Sequence, residues 1–481
     1  MKHELRASAH RSILKATAVI GGASAVNILI GLARNKLAAL MLGPVGIGSI
    51  GLLLNIVLTA ANLGGLGVAM ASVRTLASAT GADGGGEARR ALTLLTISLA
   101  ITGAVATWLL RAPIARYTLS DATEAWRVGW LAPAVALTIW SGAQLALLNG
   151  LGRLAAVARV QVVGAALGTA LGLAALALWG ADGVLGYVIA APVGMVIAGW
   201  TCTSRLPRIA RPVAPSAVRA NMVAYVRLGI PMMFGAITLP FGLLAIRALT
   251  ADHLGGVALG QFTAAWTLSV TYVSFVLAAM STDYFPKLSA IADDHAAATR
   301  LVNDHAQVAL LLSLPVMLAV QAIAPWLITL LYSDSFTGAV TMLRWQIAGD
   351  VVKIISWPLA FVLLAQQRGI AYWLVESSIV LALVSSSFVL IPRFGIAGIG
   401  ASYLIGYIVY LFLLLFLLAK RIGFSLSRTN IALAAFSLFA IAVVGAAGAW
   451  SPRSGFGVGA GLLLVTSLFG YRYLLTLYRS R

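Results

Sequence analysis

Gln346, Asp350, Lys353 and Trp357 follow one another at steps of four, three and four residues, a spacing that places them on one helical face. They lie in an apolar run, residues 339–365, long enough to cross a bilayer. Asp350 would stand about 18 Å from one end of it. A charge that deep costs at least about 2.5–3.5 kcal/mol on insertion scales, so it needs a partner or a purpose. Two compatible readings follow: an Asp350–Lys353 ion pair within a helix bundle, and a polar stripe facing a cavity. Glu376, early in the next apolar run, is a further acid that could balance Lys353 or join a proton path.

A second set of charges is basic. Arg34 and Lys36 lie nine and seven residues before Gly43, and Arg247 lies eight before Gly255. At 1.5 Å per residue these depths match, about 10–13 Å below the surface. Long basic side chains can snorkel to the headgroups from there, or they can hold an anion. The acidic residues of the N-terminal half, which holds Arg34 and Lys36, are Glu4, Asp83, Glu87, Asp121, Glu124 and Asp182; all fall in connections or at span ends, which suits an anion rather than a cation.

The elements that carry these charges come in two copies. Leu42-Gly43-Pro44-Val45-Gly46-Ile47-Gly48 recurs as Leu254-Gly255-Gly256-Val257-Ala258-Leu259-Gly260, a shift of 212 residues, and the same shift carries Gly183-Val184-Leu185-Gly186 onto Gly395-Ile396-Ala397-Gly398. Apolar runs of about 20 residues bounded by Gly, Pro or charge number about fourteen. Six fall in each copy: 13–41, 46–76, 90–110, 125–148, 154–179 and 183–202, then 229–249, 255–284, 301–331, 339–365, 370–391 and 395–418. Two more, 431–450 and 456–478, lie outside the repeat, and a basic, proline-bearing linker runs from Arg205 to Arg227. The expected fold is an all-α polytopic membrane protein: lobes at 1–210 and 211–424, then two extra helices at 425–481. Six spans per copy is an even number, so the repeats are parallel, and rocking of two lobes around a central cavity is the expected motion.

Composition excludes most other classes. Of 481 residues 60% are hydrophobic and 10% charged, with a mean hydropathy of +0.96, whereas soluble domains are about a quarter charged. The net charge of +19 does not imply nucleic acid, because the basic residues fall mostly between apolar runs as orientation signals. With both termini in the cytoplasm, only Arg111, Arg116, Arg127, Arg393 and Arg453 are left in outer loops. Cys202 is the sole cysteine, so no disulfide framework or cysteine metal cluster is expected. The glycine-rich run at 83–87 lacks the lysine and hydroxyl of a phosphate-cradling loop. The acidic and histidine-bearing segment from Asp293 to His305 fits no common metal spacing. No cofactor is expected. No outer loop exceeds about 20 residues, which leaves little room for a catalytic domain.

Several pieces together resemble the Wzx-type polysaccharide flippases of the multidrug/oligosaccharidyl-lipid/polysaccharide exporter superfamily. They are Lys36-Leu37 to Gly43-Pro44, Arg247, Tyr284 with Pro286-Lys287-Leu288-Ser289, Ser335-Phe336-Thr337, and Trp345-Gln346 to Gly349-Asp350-Val351-Val352-Lys353. The sequence departs from that group in its two extra spans and in Val270, where the resemblance leads one to expect an acid. What the resemblance implies is movement of undecaprenyl-diphosphate-linked oligosaccharide units, of O-antigen or enterobacterial common antigen type, across a bacterial inner membrane. Arg34, Lys36 and Arg247 would hold the diphosphate. Gln261, Trp345, Gln346, Asp350, Lys353 and Trp357 complete the candidate substrate-binding set, with Asp350, Glu376 and Asp283 as candidate coupling acids. A polysaccharide polymerase and a chain-length regulator are the implied partners. A peptidoglycan-precursor flippase and a cation or drug antiporter of the same superfamily are the alternatives, the last asking for a membrane carboxylate that the first lobe lacks.

Overall fold

The computed structural model describes residues 2–78, 85–119, 121–207 and 214–479, with side chains from 21 to 472 except those at 122, 275, 278, 279 and 281–283. Part of the glycine-rich run, part of the linker and the Asp283 side chain therefore lie outside the described residues. The chain is all-α, with no strand among the described residues. The helices are α1 (Lys2–Gly64), α2 (Val68–Ser78), α3 (Gly86–Leu109), α4 (Arg111–Thr118), α5 (Ala125–Gly129), α6 (Ala132–Gly150), α7 (Leu154–Trp179) and α8 (Val184–Thr203). There follow α9 (Pro215–Ala290), α10 (His295–Leu331), α11 (Ala339–Ala365), α12 (Gly369–Phe394), α13 (Ile396–Ile422), α14 (Arg428–Trp450) and α15 (Pro452–Arg479).

Among the described residues eleven stretches are long and apolar enough to cross a membrane. Three of them, of 44, 50 and 60 residues, are long enough to cross twice, and each contains a break, so the count of crossings reaches the fourteen read from the sequence. Two of the breaks are the repeated landmark itself. Gly43 has φ 63° and ψ −168°, and Gly255 has φ 77° and ψ 179°. Only glycine takes this conformation without strain, so one glycine ends one span and starts the next in both copies.

The second landmark matches differently from its letters. Gly180 (φ 56°, ψ −128°) and Gly395 (φ 57°, ψ −135°) share a conformation at the ends of α7 and α12. The backbone equivalence is thus a shift of 215 residues there, three more than at Gly43 and Gly255. The connection after α7 winds through a short 3-10 turn, Gly180–Gly183, before α8 starts.

Packing divides the chain into two compact units, residues 1–252 and 253–481. The line falls beside the Gly255 break, so the first part of α9 packs with the first unit although the sequence repeat groups it with the second copy. Hydrogen bonds hold it there: the Tyr225 hydroxyl donates to the Ala88 carbonyl at 3.2 Å, and Asn62 Nδ2 to the Ala236 carbonyl at 3.3 Å. In the same unit α7 and α8 pack through small residues. Gly164, Gly168 and Gly172 recur every fourth residue, and a Cβ on Gly168 would stand 2.9 Å from the Ala191 Cα. In lipid, where apolar burial gives no net drive between helices, such close approach supplies the attraction.

In the second unit α11 is the inner helix, with 72% of its most apolar window buried, the highest share of the eleven. It packs against α10, α12, α13 and α14. The two extra helices are docked by Asn303 of α10. Its side chain donates to the Ser425 carbonyl at 3.0 Å and accepts from the Ser427 N–H at 2.7 Å, while Asn430 Nδ2 donates to the Asn303 carbonyl at 2.9 Å. Gln321 Nε2 adds a bond to the Ile441 carbonyl at 3.2 Å. Asp294, one of the residues in the acidic segment, is the N-cap of α10, its carboxylate accepting from the Ala297 N–H at 2.9 Å.

Candidate functional site

The candidate residues divide between the units. Arg34 and Lys36 on α1 and Arg247 on α9 fall in the first; Gln261, Trp345, Gln346, Asp350, Lys353, Trp357 and Glu376 fall in the second. In the first unit Arg34 and Lys36 are half-buried and Arg247 is buried at 6% exposure. Arg34 lies within electrostatic reach of Tyr187 on α8, and its Nε is buried without a hydrogen-bond acceptor among the described residues. A guanidinium held in an apolar helix with donor capacity to spare is suited to receive an anion.

The second unit builds a connected polar cluster around α11. Asp350 is fully buried, and three hydroxyls donate to its carboxylate: Ser269 at 2.9 Å and Tyr272, both from α9, and Tyr403 from α13 at 2.7 Å. One turn on, the Lys353 ammonium stands 5.5 Å from the Tyr407 ring centroid, hydrogen-bonds that hydroxyl, and interacts electrostatically with both Asp350 and Glu376. Glu376 on α12 accepts from Tyr410 at 2.5 Å and also from Tyr372, one helical turn before it. The rings of Tyr403 and Tyr407 lie 4.9 Å apart and those of Tyr407 and Tyr410 6.2 Å apart. Each charged group therefore meets its own tyrosine hydroxyl on α13, Asp350 that of Tyr403, Lys353 that of Tyr407 and Glu376 that of Tyr410, an arrangement able to hold a proton.

Of the features read from the α11 sequence, Asp350 and Lys353 lie within electrostatic reach of each other, and the part of the stripe at Gln346 and Asp350 is fully buried in the bundle. Gln346, one turn before Asp350, has 0% exposure, and neither amide atom has a partner among the described residues. Trp345, its neighbour in sequence, is 44% exposed, with its Cβ against Gly400; consecutive helical residues point about 100° apart. Trp357 joins an aromatic group with Tyr284, His305 and Phe361, at ring distances of 5.9, 6.4 and 4.5 Å. The Gln261 amide packs on Gly338, the N-cap of α11, where a Cβ would come within 2.4 Å of it.

With this geometry in place, comparison with known proteins identifies the family. A model of the polysaccharide biosynthesis protein family matches residues 13–292, more than half of the chain. The chain belongs to that family. It is 25% identical over 426 residues to the lipid III flippase of Escherichia coli (strain K12), covering 85% of this chain and 99% of that protein, and the Shigella flexneri lipid III flippase matches equally. Among solved structures, the lipid II flippase MurJ in an inward closed conformation has a TM-score of 0.70 at 13% identity, covering 95% of this chain and 99% of that one. An inward-facing multidrug resistance MATE transporter of the MOP superfamily has a TM-score of 0.69 at 17% identity, covering 82% and 94%. These likenesses show the fold. This family member is a multi-pass membrane transporter and not an enzyme.

The tyrosines escaped sequence reading. Tyr403, Tyr407 and Tyr410 follow at steps of four and three along α13, and Tyr372 precedes Glu376 by four, so the signal was a helical stripe of hydroxyls. Its meaning depends on which helix lies opposite, and that is a tertiary fact.

Proposed function

We propose that this family member is a flippase for undecaprenyl-diphosphate-linked oligosaccharide units, moving them from the cytoplasmic to the periplasmic leaflet of a bacterial inner membrane. The observation that carries this reading is the basic set in the first unit: Arg34, Lys36 and buried Arg247 stand in apolar helices, as an anionic diphosphate requires. The lipid III flippase of Escherichia coli, similar over nearly its whole length, supports a lipid-linked substrate. The excess of basic residues in alternate loops supports cytoplasmic termini. The two sequence copies act as lobes in alternating access. Glycan contacts come from the stripe about Gln346, whose unpaired amide is suited to sugar hydroxyls. The Asp350–Lys353–Glu376 cluster couples transport to an ion gradient, and a polymerase and chain-length regulator of the same polysaccharide pathway take over the product.

The test is transport of a fluorescent undecaprenyl-diphosphate oligosaccharide in proteoliposomes, with lipid II as a parallel substrate. The proposal expects transport above empty vesicles, at least about tenfold weaker in Arg247→Ala and partly restored in Arg247→Lys, as loss and return of a charge-assisted contact. Full activity of Lys36→Ala and Arg247→Ala, both normally inserted, would overturn the basic site. Transport of lipid II alone would move the substrate to the peptidoglycan precursor.

A further inference from the structure

The first unit carries a second feature, a cleft of about 550 Å³ between α3, α6 and α8 whose lining includes none of the candidate site residues. Its character changes along α3. Arg89 and Arg90 stand about 5–6 Å from the start of that helix and Leu94 about 12 Å from it, and Trp140 of α6 and Trp200 of α8 also line the cleft. Leu94 is 43% and Trp200 65% exposed on helices that cross the membrane, so the deep end opens towards hydrocarbon. The wall is braced. With the Gln144 amide turned so that its oxygen accepts, it takes the Trp140 indole N–H and the Trp200 backbone N–H, both at 3.2 Å.

The shallow end is basic, and Glu87, the acid in the first turn of α3, is not part of its lining. Arg89 Nη1 donates to the Pro207 carbonyl at 3.0 Å, which anchors the guanidinium, and the charged group acting on it is another arginine, Arg153. No carboxylate is among the described residues that line the cleft. Like charges held together over an apolar slot ask for an anion carrying a long apolar tail. We propose that this cleft binds an anionic glycerophospholipid, its phosphate between Arg89 and Arg90 and an acyl chain along Leu94, Trp140 and Trp200. The match is one of depth, since head and chain are ordered along α3 as they are in a leaflet. A zwitterionic lipid presents the same phosphate with a cation attached, so the arginines discriminate against it. The site is separate from transport and does not depend on which leaflet faces it.

Purified full-length protein in neutral detergent is titrated with pyrene-labelled phosphatidylglycerol and, separately, pyrene-labelled phosphatidylcholine, with energy transfer from tryptophan as the readout. Juxtaposed basic residues contribute about fivefold each to anionic-lipid affinity. The preference for phosphatidylglycerol should therefore be at least about tenfold, fall towards parity in R89Q/R90Q, and persist in R89K/R90K. Should the double glutamine variant fail to fold, Arg90→Gln alone, an exposed side chain, should lose about fivefold. Equal binding of the two lipids, or a preference that survives the glutamine variants, would overturn the proposal. So would displacement of phosphatidylglycerol by undecaprenyl diphosphate at a tenfold lower concentration, which would assign the cleft to the transported lipid.

Discussion

Asp350 stands in an apolar bundle with three hydroxyls on its carboxylate, and that arrangement fixes how its variants should behave. Asn in its place keeps an acceptor for those hydroxyls and removes the charge. Asp350→Asn should insert and melt close to the wild type yet lose the response of transport to an imposed pH or sodium gradient, read in the same proteoliposomes. Leu in its place leaves buried hydroxyls without their acceptor, at about 1–3 kcal/mol for each one left unpaired. Asp350→Leu should therefore lower the melting temperature in detergent. Equal effects of Asn and Leu would show that the carboxylate is structural alone. Of this cluster the charged residues were legible, because charge in an apolar run is conspicuous by its solvation cost. The tyrosines were not, because tyrosine is common on both lipid-facing and core surfaces.

At the scale of the element, two kinds of glycine make opposite demands. At Gly43 and Gly255 a Cβ would meet nothing within 4 Å, so substitution acts through backbone strain alone. Gly43→Ala should lower stability by about 1–2 kcal/mol, visible as a modest fall in melting temperature, with the helical pair intact. Gly168 on α7 has ordinary helical backbone but no room. Gly168→Leu should force α7 and α8 apart and abolish the monodisperse peak in size-exclusion chromatography, whereas the same change at Gly142, which also has open space around its Cβ, should not. The breaks were read from the sequence through their repetition. The letters misplaced the second landmark by three residues, since the left-handed turn is taken by Gly180 and not by Gly183. A chain that ends α7 with an added 3-10 turn can keep its pattern of glycines while shifting which one bears the strain.

For the whole molecule the governing quantity is charge moved across the membrane. Outward passage of an anion is favoured by an inside-negative potential by about 2.3 kcal/mol per charge per 100 mV. A potassium-diffusion potential of that size should raise the final outward accumulation ratio of a diphosphate lipid by up to about fiftyfold for each net charge carried. No dependence on potential would mean that the bound anion moves with compensating protons or cations.

The sequence by itself determined that this chain is an all-α polytopic membrane protein written in two copies, that a break recurs at Gly43 and Gly255, and which charges lie in apolar runs. These are properties of local composition and period, because a span must bury its own backbone hydrogen bonds and apolar length within about 20 consecutive residues. Tertiary structure alone decided what those charges meet. Asp350 takes its hydroxyls from residues 81, 78 and 53 positions away, and Asn303 docks the last two helices across more than 120. Side chains that share a helical face are visible in one dimension. Side chains that meet from different helices are selected by packing, which no local pattern records.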